Sequence, residues 1–428
     1  MEGEALLDPE KQRQNWLRRL GAALGPGLIT GAADDDPSGI ATYSIAGAQL
    51  GTGLLWIGLL TWPLMAAVQM MCARIGMVTG RGLMACLRKK FPAAVLGPAA
   101  AALLIANTIN IAADLSGMAD AVELLTGLQS QGWVLVFGFG IAWAAVRLHY
   151  SAMARVLKWL TLVLLAYVAT GFYITPPWGE VAHATFVPSL PRGSHAWAIV
   201  VAILGTTISP YLFFWQASEE VEEEKAAGRH TVLARQGATK TELLDRKLDV
   251  GVGAFSSNFV MFFIMLTSAF TLNKHGITEL ETSKQVAQAL EPLAGRFAAL
   301  LYTVGIVGTG LLAIPILAGS GAYAFAELLG WRQGIDQRFR GARPFYLVLV
   351  SSVVCGVALD FASVSPVRAL YWTAIINGVL APFLLTGIVI AASDKALMQG
   401  QPSSPLNRIM VGLTAILMFG AASAMFLM

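Results

Sequence analysis

Long apolar stretches separated by short polar segments dominate this chain and predict a bundle of membrane-spanning helices. A helix needs about 20 predominantly apolar residues to cross the hydrocarbon core of a bilayer. Eleven stretches approach or exceed that length: 21–48, 54–73, 94–116, 133–148, 152–174, 195–217, 249–272, 295–327, 345–360, 366–392 and 407–427. The pattern therefore predicts an all-α integral membrane protein with about 11 transmembrane helices.

Two of the predicted helices contain a break near the middle. The first holds three adjacent acids and a proline in Asp34-Asp35-Asp36-Pro37-Ser38-Gly39, and the sixth holds Gly205-Thr206-Thr207-Ile208-Ser209-Pro210-Tyr211. A carboxylate at mid-membrane costs on the order of 3 kcal/mol, so acids at that depth lie beside water or a cation. Proline also frees backbone carbonyl groups, and transporters build cation sites from such broken helices.

The spacing of the two breaks predicts an internal symmetry. They lie five helices apart, so the sixth helix should run antiparallel to the first, as in LeuT-like transporters built from two inverted five-helix repeats. We expect an N-terminal tail at 1–20, the first repeat at 21–174, the second at 195–392 and an additional helix at 407–427. The binding site then lies where broken helices 1 and 6 face each other.

Composition and charge agree with a membrane protein and predict its orientation. Hydrophobic residues make up 56% of the chain and charged residues 13%, about half the charged fraction of globular proteins. Lysine and arginine are concentrated in the tail and in every second gap between predicted helices, which places the N-terminus in the cytoplasm. Residues 1–20 lack the apolar core of a cleavable signal peptide. We therefore expect a multi-pass protein of the cell inner (plasma) membrane, and its net charge of +3 does not indicate nucleic-acid binding.

Other chemistries have little support in the sequence. Cys72, Cys86 and Cys355 have no paired spacing, which argues against a disulfide framework or a zinc site. Neither a glycine-rich phosphate loop after a strand nor the spacing of a catalytic triad is present. We expect that the protein is not an enzyme and needs no cofactor, and the sequence leaves its oligomeric state open.

Several motifs resemble those of the NRAMP divalent-metal transporters. That family carries Asp-Pro-Gly-Asn in its first helix, where this chain has Asp36-Pro37-Ser38-Gly39 after a matching Gly25-Pro26-Gly27. The loop of residues 73–81 and the pair Asp114-Leu115 also match family motifs. Thr206-Thr207-Ile208-Ser209-Pro210-Tyr211 aligns with the family's Ala-Thr-Val-Met-Pro-His. The resemblance implies transport of divalent metal ions.

Within the range of this resemblance, residues 22–392, the chain departs from the family pattern. The family's metal-binding methionine becomes Ser209 and its asparagine becomes Gly39, which widens the expected site. A thioether selects soft transition metals, whereas a hydroxyl favours hard cations. Two histidines and a glutamate of the family's proton route become Tyr211, Gln216 and Gly117. This set resembles the NRAMP-related magnesium transporter branch, which implies transport of partly hydrated Mg²⁺ and Mn²⁺ without coupled protons.

The candidate metal ligands of this chain all offer oxygen. Mg²⁺ binds through one or two carboxylates plus retained waters, so Asp36 is the first candidate and Asp35 the second. Asp34 is expected to line the approach instead, because neighbouring helical residues point about 100° apart. The further candidates are the carbonyls of Ala33 and Gly39, the hydroxyls of Thr206 and Ser209, and the side chain of Asn377.

Simpler roles stay open for several of these groups. The hydroxyls of Thr206 and Ser209 can bond back to a carbonyl four residues earlier, as is common in membrane helices. Asn377 can form an interhelical hydrogen bond, and Asp114 a structural ion pair. The acidic run at 219–224 is interpreted as a solvated face, with cation gathering as the alternative.

The sequence thus predicts a transporter of divalent metal cations, Mg²⁺ or Mn²⁺, that works by alternating access without proton coupling. Its expected partners are the metal ion and the lipid bilayer. One alternative is a proton-coupled Mn²⁺/Fe²⁺ importer of the NRAMP type, which the missing methionine and histidines disfavour. Another is a sodium-coupled amino-acid transporter on the same scaffold, in which three aspartates would repel the carboxylate of the substrate.

Overall fold

The computed structural model describes residues 26–148, 159–190, 192–335, 337–361 and 365–428. All regular secondary structure within these ranges is helical. The predicted tail at 1–20 and the start of the fifth predicted helix, at 152–158, lie outside the described residues. Wherever the chain is described, the predicted spans coincide with helices.

Seventeen α-helices follow one another within the described residues. In chain order they are α1 (Pro26–Asp34), α2 (Pro37–Leu50), α3 (Leu55–Thr79), α4 (Leu83–Leu87), α5 (Ala93–Thr126), α6 (Ser130–Arg147), α7 (Leu165–Tyr173), α8 (Trp178–Phe186), α9 (Ser194–Thr207), α10 (Pro210–Ala226), α11 (Lys240–Thr271), α12 (Ser283–Ala287), α13 (Glu291–Ala294), α14 (Ala298–Leu329), α15 (Arg343–Asp360), α16 (Pro366–Ser393) and α17 (Pro405–Leu427). The pairs α1 with α2 and α9 with α10 are the halves of the two broken helices.

Length and hydropathy support a multi-pass membrane protein. Within the described residues, eight helical segments are long and apolar enough to cross a bilayer, or nine if the bent pair Leu162–Tyr173 and Trp178–Phe186 forms one span. This number is below the eleven predicted stretches partly because α2 and α3 form one helical segment over Pro37–Thr79. In addition, α6 is not among these long apolar segments, although it is helical over 18 residues.

Several helices extend beyond the predicted apolar stretches. The helix α11 begins at Lys240 and not at 249, because Thr239 and Glu242 form a capping box at its start. The helix α8, Trp178–Phe186, is not among the predicted spans. Hydropathy marks the part of a helix that lies in the bilayer, whereas capping residues decide where the helix ends.

An extended residue followed by proline separates the halves of each broken helix. Asp36, with φ −67° and ψ 171°, caps the N-terminus of α2, and Pro37 follows it. Ser209, with φ −76° and ψ 132°, takes the same place before Pro210 at the start of α10. Proline has no backbone N–H and disfavours helical geometry in the residue before it. The predicted breaks in helices 1 and 6 are confirmed.

The two broken helices pack in antiparallel order. The helix α1 lies against α10, and α2 lies against α9 and α16. The first half of each broken helix therefore meets the second half of the other, as inverted repeats require. The helix α11 runs beside α1, α2 and α3. Its close approach to α1 requires glycine, since a Cβ on Gly31 would lie 2.7 Å from the Cα of Gly253.

Candidate metal site between the broken helices

Asp36 lies at the break of the first helix, and hydrogen-bond donors enclose its carboxylate. The residue is 1% exposed. Its Oδ1 accepts hydrogen bonds from the backbone N–H of Gly39 at 2.8 Å and from the hydroxyl of Ser38 at 2.6 Å. Its Oδ2 accepts from Nδ2 of Asn110 and from the hydroxyl of Tyr211, both at 3.2 Å. One carboxylate therefore joins α2, α5 and α10.

Asp34 and Asp35 share a different partner, the hydroxyl of Ser257 on α11. This hydroxyl donates to Oδ2 of Asp34 at 2.6 Å and lies 3.2 Å from Oδ1 of Asp35. Oδ1 of Asp34 is buried without a hydrogen-bond partner among the described residues. The role of Asp34 in lining the approach stays a prediction, but in this conformation Asp34 and Asp35 face the same hydroxyl. Because α1 ends at Asp34, the angular spacing of a helix does not apply beyond it.

The hydroxyl groups of the second break lie close to the first break. Oγ1 of Thr206 is 3.4 Å from Oγ of Ser38, and Oγ1 of Thr207 is 3.1 Å from Oη of Tyr43. The hydroxyl of Ser209 donates to the carbonyl of Thr206 at 2.6 Å and to the carbonyl four residues earlier at 2.9 Å. Ser209 therefore bonds back to its own helix in this conformation, whereas Thr206 faces the segment that carries the acids.

Gly39 is closely surrounded, although it replaces a larger family residue. A Cβ at this position would lie 3.2 Å from both the carbonyl oxygen of Asp34 and Oγ1 of Thr206, and 3.3 Å from Cε2 of Tyr43. The sequence alone indicated a widened site at Gly39. In this conformation the Asp34 carbonyl and two side chains fill that space, so any widening requires these groups to move.

Three further polar groups lie around the breaks. The carbonyl of Ala33 accepts a hydrogen bond from the hydroxyl of Tyr211 at 3.2 Å. Asn377 on α16 is 1% exposed, and its Oδ1 has no partner within the described part of the chain. Asp114 lies one turn after Asn110 on α5 and is fully buried. Neither of its carboxylate oxygens has a hydrogen-bond partner among the described residues, so the alternative of a structural ion pair is wrong there.

The acids do not converge on one point in this conformation. Within the described ranges, no group of three or more His, Cys, Asp or Glu side chains is arranged to hold a metal ion. Asp36 faces Asn110 and Tyr211, whereas Asp34 and Asp35 face Ser257. An ion at the breaks would have to displace these donors or reach the carboxylates through retained water.

A second polar network caps the N-terminus of α1. Asp249 of α11 is fully buried. Its Oδ2 accepts from the backbone N–H of Gly27 at 2.7 Å, and its Oδ1 accepts from that of Leu28 at 3.0 Å. The first N–H groups of a helix have no partner within the helix, and a carboxylate near them is favourable. The start of α1 is therefore held by α11.

Arg246 connects this cap to the acidic end of α10. Its Nη1 lies 2.7 Å from Oδ2 of Asp249, and its Nε lies 2.8 Å from Oε1 of Glu220. Arg246 also forms an ion pair with Glu223. The interpretation of the acidic run as a solvated face is wrong for Glu220, which is 1% exposed. The reason is that α11 begins early and brings Arg246 against α10.

Gln216 extends the network back to α1. Its Nε2 donates to Oε1 of Glu220 at 2.8 Å, and its Oε1 accepts from the hydroxyl of Thr30 at 2.8 Å. These connected side chains form what we call the Arg246 network, which consists of Thr30, Gln216, Glu220, Glu223, Arg246 and Asp249. They fasten α1 to α10 and α11. Separation of α1 from α11 breaks its hydrogen bonds to the Asp249 carboxylate, and separation from α10 breaks the hydrogen bond between Thr30 and Gln216.

Sequence reasoning missed Ser257, Asn110 and the Arg246 network. A polar side chain inside an apolar helix is costly unless it is paired, and that signal is present in Ser257 on α11 and in Asn110 on α5. Their partners could not be identified in the same way. Asn110 and Asp36 are 74 residues apart, and Ser257 and Asp34 are 223 residues apart.

Comparisons with known proteins show which sequences this chain resembles. The Nramp family model, described as natural resistance-associated macrophage protein-like, matches residues 27–428. A protein of Caldanaerobacter subterraneus subsp. tengcongensis, named divalent metal cation transporter MntH, is 24% identical over 421 residues. That alignment covers 93% of this chain and 91% of the relative.

Solved structures share the fold. A manganese transporter of Eremococcus coleocola, in complex with an aromatic bis-isothiourea substituted compound, superposes with a TM-score of 0.74 at 16% identity, covering 98% of this chain and 87% of that one. Mhp1, a nucleobase-cation-symport-1 family transporter in a closed conformation, superposes with a TM-score of 0.56 at 12% identity, covering 94% and 92% of the two chains. The predicted all-helical, LeuT-like fold is confirmed.

Proposed function

This chain belongs to the Nramp family, and from that premise we propose that it is a membrane transporter of divalent metal cations, with Mg²⁺ and Mn²⁺ as its ions. It works by alternating access without proton coupling, in the cell inner membrane and with its N-terminus in the cytoplasm. The name of the MntH relative supports a divalent metal. The Eremococcus coleocola transporter, named for manganese, supports Mn²⁺ as one of the ions.

The proposal depends mainly on the oxygen-bearing groups at the two facing breaks. Asp36 receives a hydrogen bond from Tyr211 of the second break at 3.2 Å. Ser38 and Thr206 connect the breaks through their hydroxyls at 3.4 Å. The proposed ligands are Asp36 and Asp35, with the carbonyls of Ala33 and Gly39 and the side chains of Thr206, Ser209 and Asn377.

Oxygen ligands and retained water suit Mg²⁺ better than soft ions. Mg²⁺ gives up its waters reluctantly and accepts one or two carboxylates in octahedral geometry. The four donors around Asp36 are neutral groups that a hydrated ion can replace. A hydrated Mg²⁺ can therefore occupy the break without the tight cage that a dehydrated ion needs.

A flux assay in proteoliposomes tests the proposed ions. We expect Mn²⁺ uptake that falls as external Mg²⁺ rises into the millimolar range, because both ions use the same oxygen ligands. The protein-free liposome is the control for leakage. Mn²⁺ uptake that millimolar Mg²⁺ does not reduce would contradict magnesium as a substrate and leave the manganese importer of the NRAMP type.

Replacing Ser209 with methionine is expected to favour soft ions. The added thioether should raise Cd²⁺ uptake relative to Mg²⁺ uptake by about tenfold, since soft ligands select soft metals. Ser209→Leu is the matched control, because leucine adds similar bulk without sulfur. The same ion ranking in both variants would show that selectivity is set elsewhere, with Asp35 as the first residue to examine.

Gly39, where the family has asparagine, requires its own control. Gly39→Asn combined with Ser209→Met should weaken Mg²⁺ transport further, because the larger side chain removes room for retained water. A Cβ added at Gly39 would itself lie 3.2 Å from Thr206 Oγ1. Gly39→Ala combined with Ser209→Met therefore measures the cost of that contact, and the effect of the asparagine is the difference between the two double variants.

Metal uptake is expected to proceed without proton uptake. The family's histidines and glutamate are replaced by Tyr211, Gln216 and Gly117, and Gln216 is held between Thr30 and Glu220. The flux should follow the metal gradient and the membrane potential, which acts on a doubly charged ion with about 4.6 kcal/mol per 100 mV. A pH-sensitive dye trapped in the liposomes measures the internal pH during metal entry. Acidification that requires the metal and tracks its entry would contradict uncoupled transport.

The Arg246 network suggests which side of the protein is closed. It fastens α1 to α10 and α11 at the end where the proposed orientation puts the cytoplasm. Release of the site to that side requires α1 to separate from both helices, so the network has to break once in each transport cycle. This conformation is then the one closed toward the cytoplasm.

A further inference from the structure

A large cavity lies beside α10, away from the two helix breaks. It has a volume of 1040 Å³ and lies between the ends of α3, α10 and α14 and the loops that follow them. We call it the basic cavity. Its cationic lining residues are Arg81, Arg88, Lys89, Lys225, Arg235 and Arg332, and its acidic lining residues are Glu222 and Glu327. The cations exceed the carboxylates around this one space.

The two carboxylates of the basic cavity are already engaged. Glu222 forms an ion pair with Lys225 at 2.7 Å. Oε2 of Glu327 accepts from the backbone N–H of Ala85 at 3.0 Å, and its Oε1 accepts from Nε2 of Gln333 at 2.9 Å. Both carboxylates therefore already have partners, and of the cavity arginines Arg235 also interacts electrostatically with Glu222.

Several cations of the cavity lack a counter-charge. Within the described part of the chain, Arg81, Arg88, Lys89 and Arg332 form no ion pair with a carboxylate. The Nε atom of Arg81 is also buried without an acceptor among the described residues. A buried donor without an acceptor is destabilising. The wall of the cavity thus presents both positive charge and an unsatisfied donor.

The backbone fixes two of these arginines next to each other. Gly80 has φ +62°, and a Cβ there would lie 2.7 Å from the Cβ of Arg235. The N–H of Gly237 donates to the carbonyl of Val78 at 2.9 Å, which joins the two loops. Burial lowers the pKa of the Arg235 guanidinium, Glu222 and Glu224 act in the opposite direction, and repulsion from Arg81 adds a smaller lowering. The excess of positive groups on the cytoplasmic side of membrane proteins explains their number, but not this enforced proximity.

We propose that the basic cavity binds a phosphate-bearing anion. Guanidinium groups bind phosphate through paired hydrogen bonds, and the volume lies near the upper end of small-molecule sites, which is about 1,000 Å³. The anion comes either from a soluble phosphate compound or from the headgroup of an anionic lipid. This proposal concerns binding only and stands whether or not the chain transports Mg²⁺.

Inorganic diphosphate is the probe for the first measurement. The protein is purified in detergent without divalent cations and titrated with the probe at fixed ionic strength. We expect saturable binding that Arg81→Gln with Arg332→Gln weakens by about tenfold. The matched control is Lys240→Gln with Arg338→Gln, which removes the same charge from exposed residues outside the cavity lining and should change binding by less than about twofold.

A second measurement distinguishes the two sources of phosphate. Diphosphate binding is compared in nanodiscs of phosphatidylcholine and of phosphatidylglycerol, and lipid retained through purification is measured by mass spectrometry. Competition by phosphatidylglycerol, with retention lost in the cavity variant, identifies a headgroup site, whereas binding that is equal in both lipids identifies a soluble ligand. Equal losses in the cavity and control variants, or neither saturable binding nor retained lipid, would overturn the proposal. Melting temperatures of both variants exclude unfolding as the cause.

Discussion

Replacing Asp36 with asparagine is expected to reduce divalent-metal uptake by about 100-fold or more, the upper range for loss of one group at a metal site. The protein should remain folded and inserted. Asparagine keeps the shape of the side chain, and its oxygen can still accept from the N–H of Gly39 and the hydroxyl of Ser38. The variant loses the charge that we propose stabilises a doubly positive ion at this buried break. Uptake in proteoliposomes measures the effect.

The surroundings of Asp36 also predict how the fold responds. The new amide would meet Nδ2 of Asn110, but Oδ1 of Asn110 has no partner among the described residues, so that amide can rotate and accept. Tyr211 keeps its bond to the carbonyl of Ala33.

Two further variants complete this experiment. Asp36→Ala should lower the stability by about 0.5–2 kcal/mol, because the N-cap of α2 is lost. Removal of a buried acid, taken alone, would not lower it. Asp245→Asn, at an exposed position on α11, is the matched control and should leave uptake unchanged. Wild-type uptake by a monodisperse Asp36→Asn protein would exclude Asp36 as a ligand.

Replacing Arg246 with glutamine is expected to release α1 from α10 and α11. The change leaves the buried carboxylates of Glu220 and Asp249 without their cation, and breaking a buried ion pair from one side costs about 3–5 kcal/mol. Arg246 pairs with Glu220 of α10 and with Asp249 of its own helix, and α1 covers Asp249. Separation of α1 would expose the Asp249 carboxylate to water, so the cost of losing Arg246 is largest while the Arg246 network is closed. The population should therefore move toward conformations in which α1 has separated from its neighbours.

Labelling of a single cysteine at Ala33 measures this shift. Ala33 is fully buried, and the background lacks the three native cysteines. A membrane-impermeant thiol reagent applied from the cytoplasmic side should react about tenfold faster in Arg246→Gln. Arg246→Lys, which keeps the charge but not the planar fork, should give an intermediate rate. Lys247→Gln, exposed and next in the chain, is the control, and equal rates in all three would refute the gating role.

The sequence by itself determined the class of the protein and the positions of its two helix breaks. The lengths of the apolar stretches identified the helices, and Pro37 and Pro210 broke two of them because proline acts on its own backbone and on the residue before it. Asp36 was located at the first break because it directly precedes Pro37. Helix ends were less well predicted, as at Lys240, because hydropathy reports the bilayer and not the cap.

Only the tertiary structure decided what the acids contact. Asp36 is bound by Asn110 and Tyr211, and Asp34 by Ser257, through pairs that are up to 223 residues apart in the chain. The contact of Arg246 with α10 is likewise a product of helix packing. Hydropathy fixes the depth of a residue in the membrane but not the rotation of its helix or the identity of its neighbour, and both depend on how the helices pack against one another.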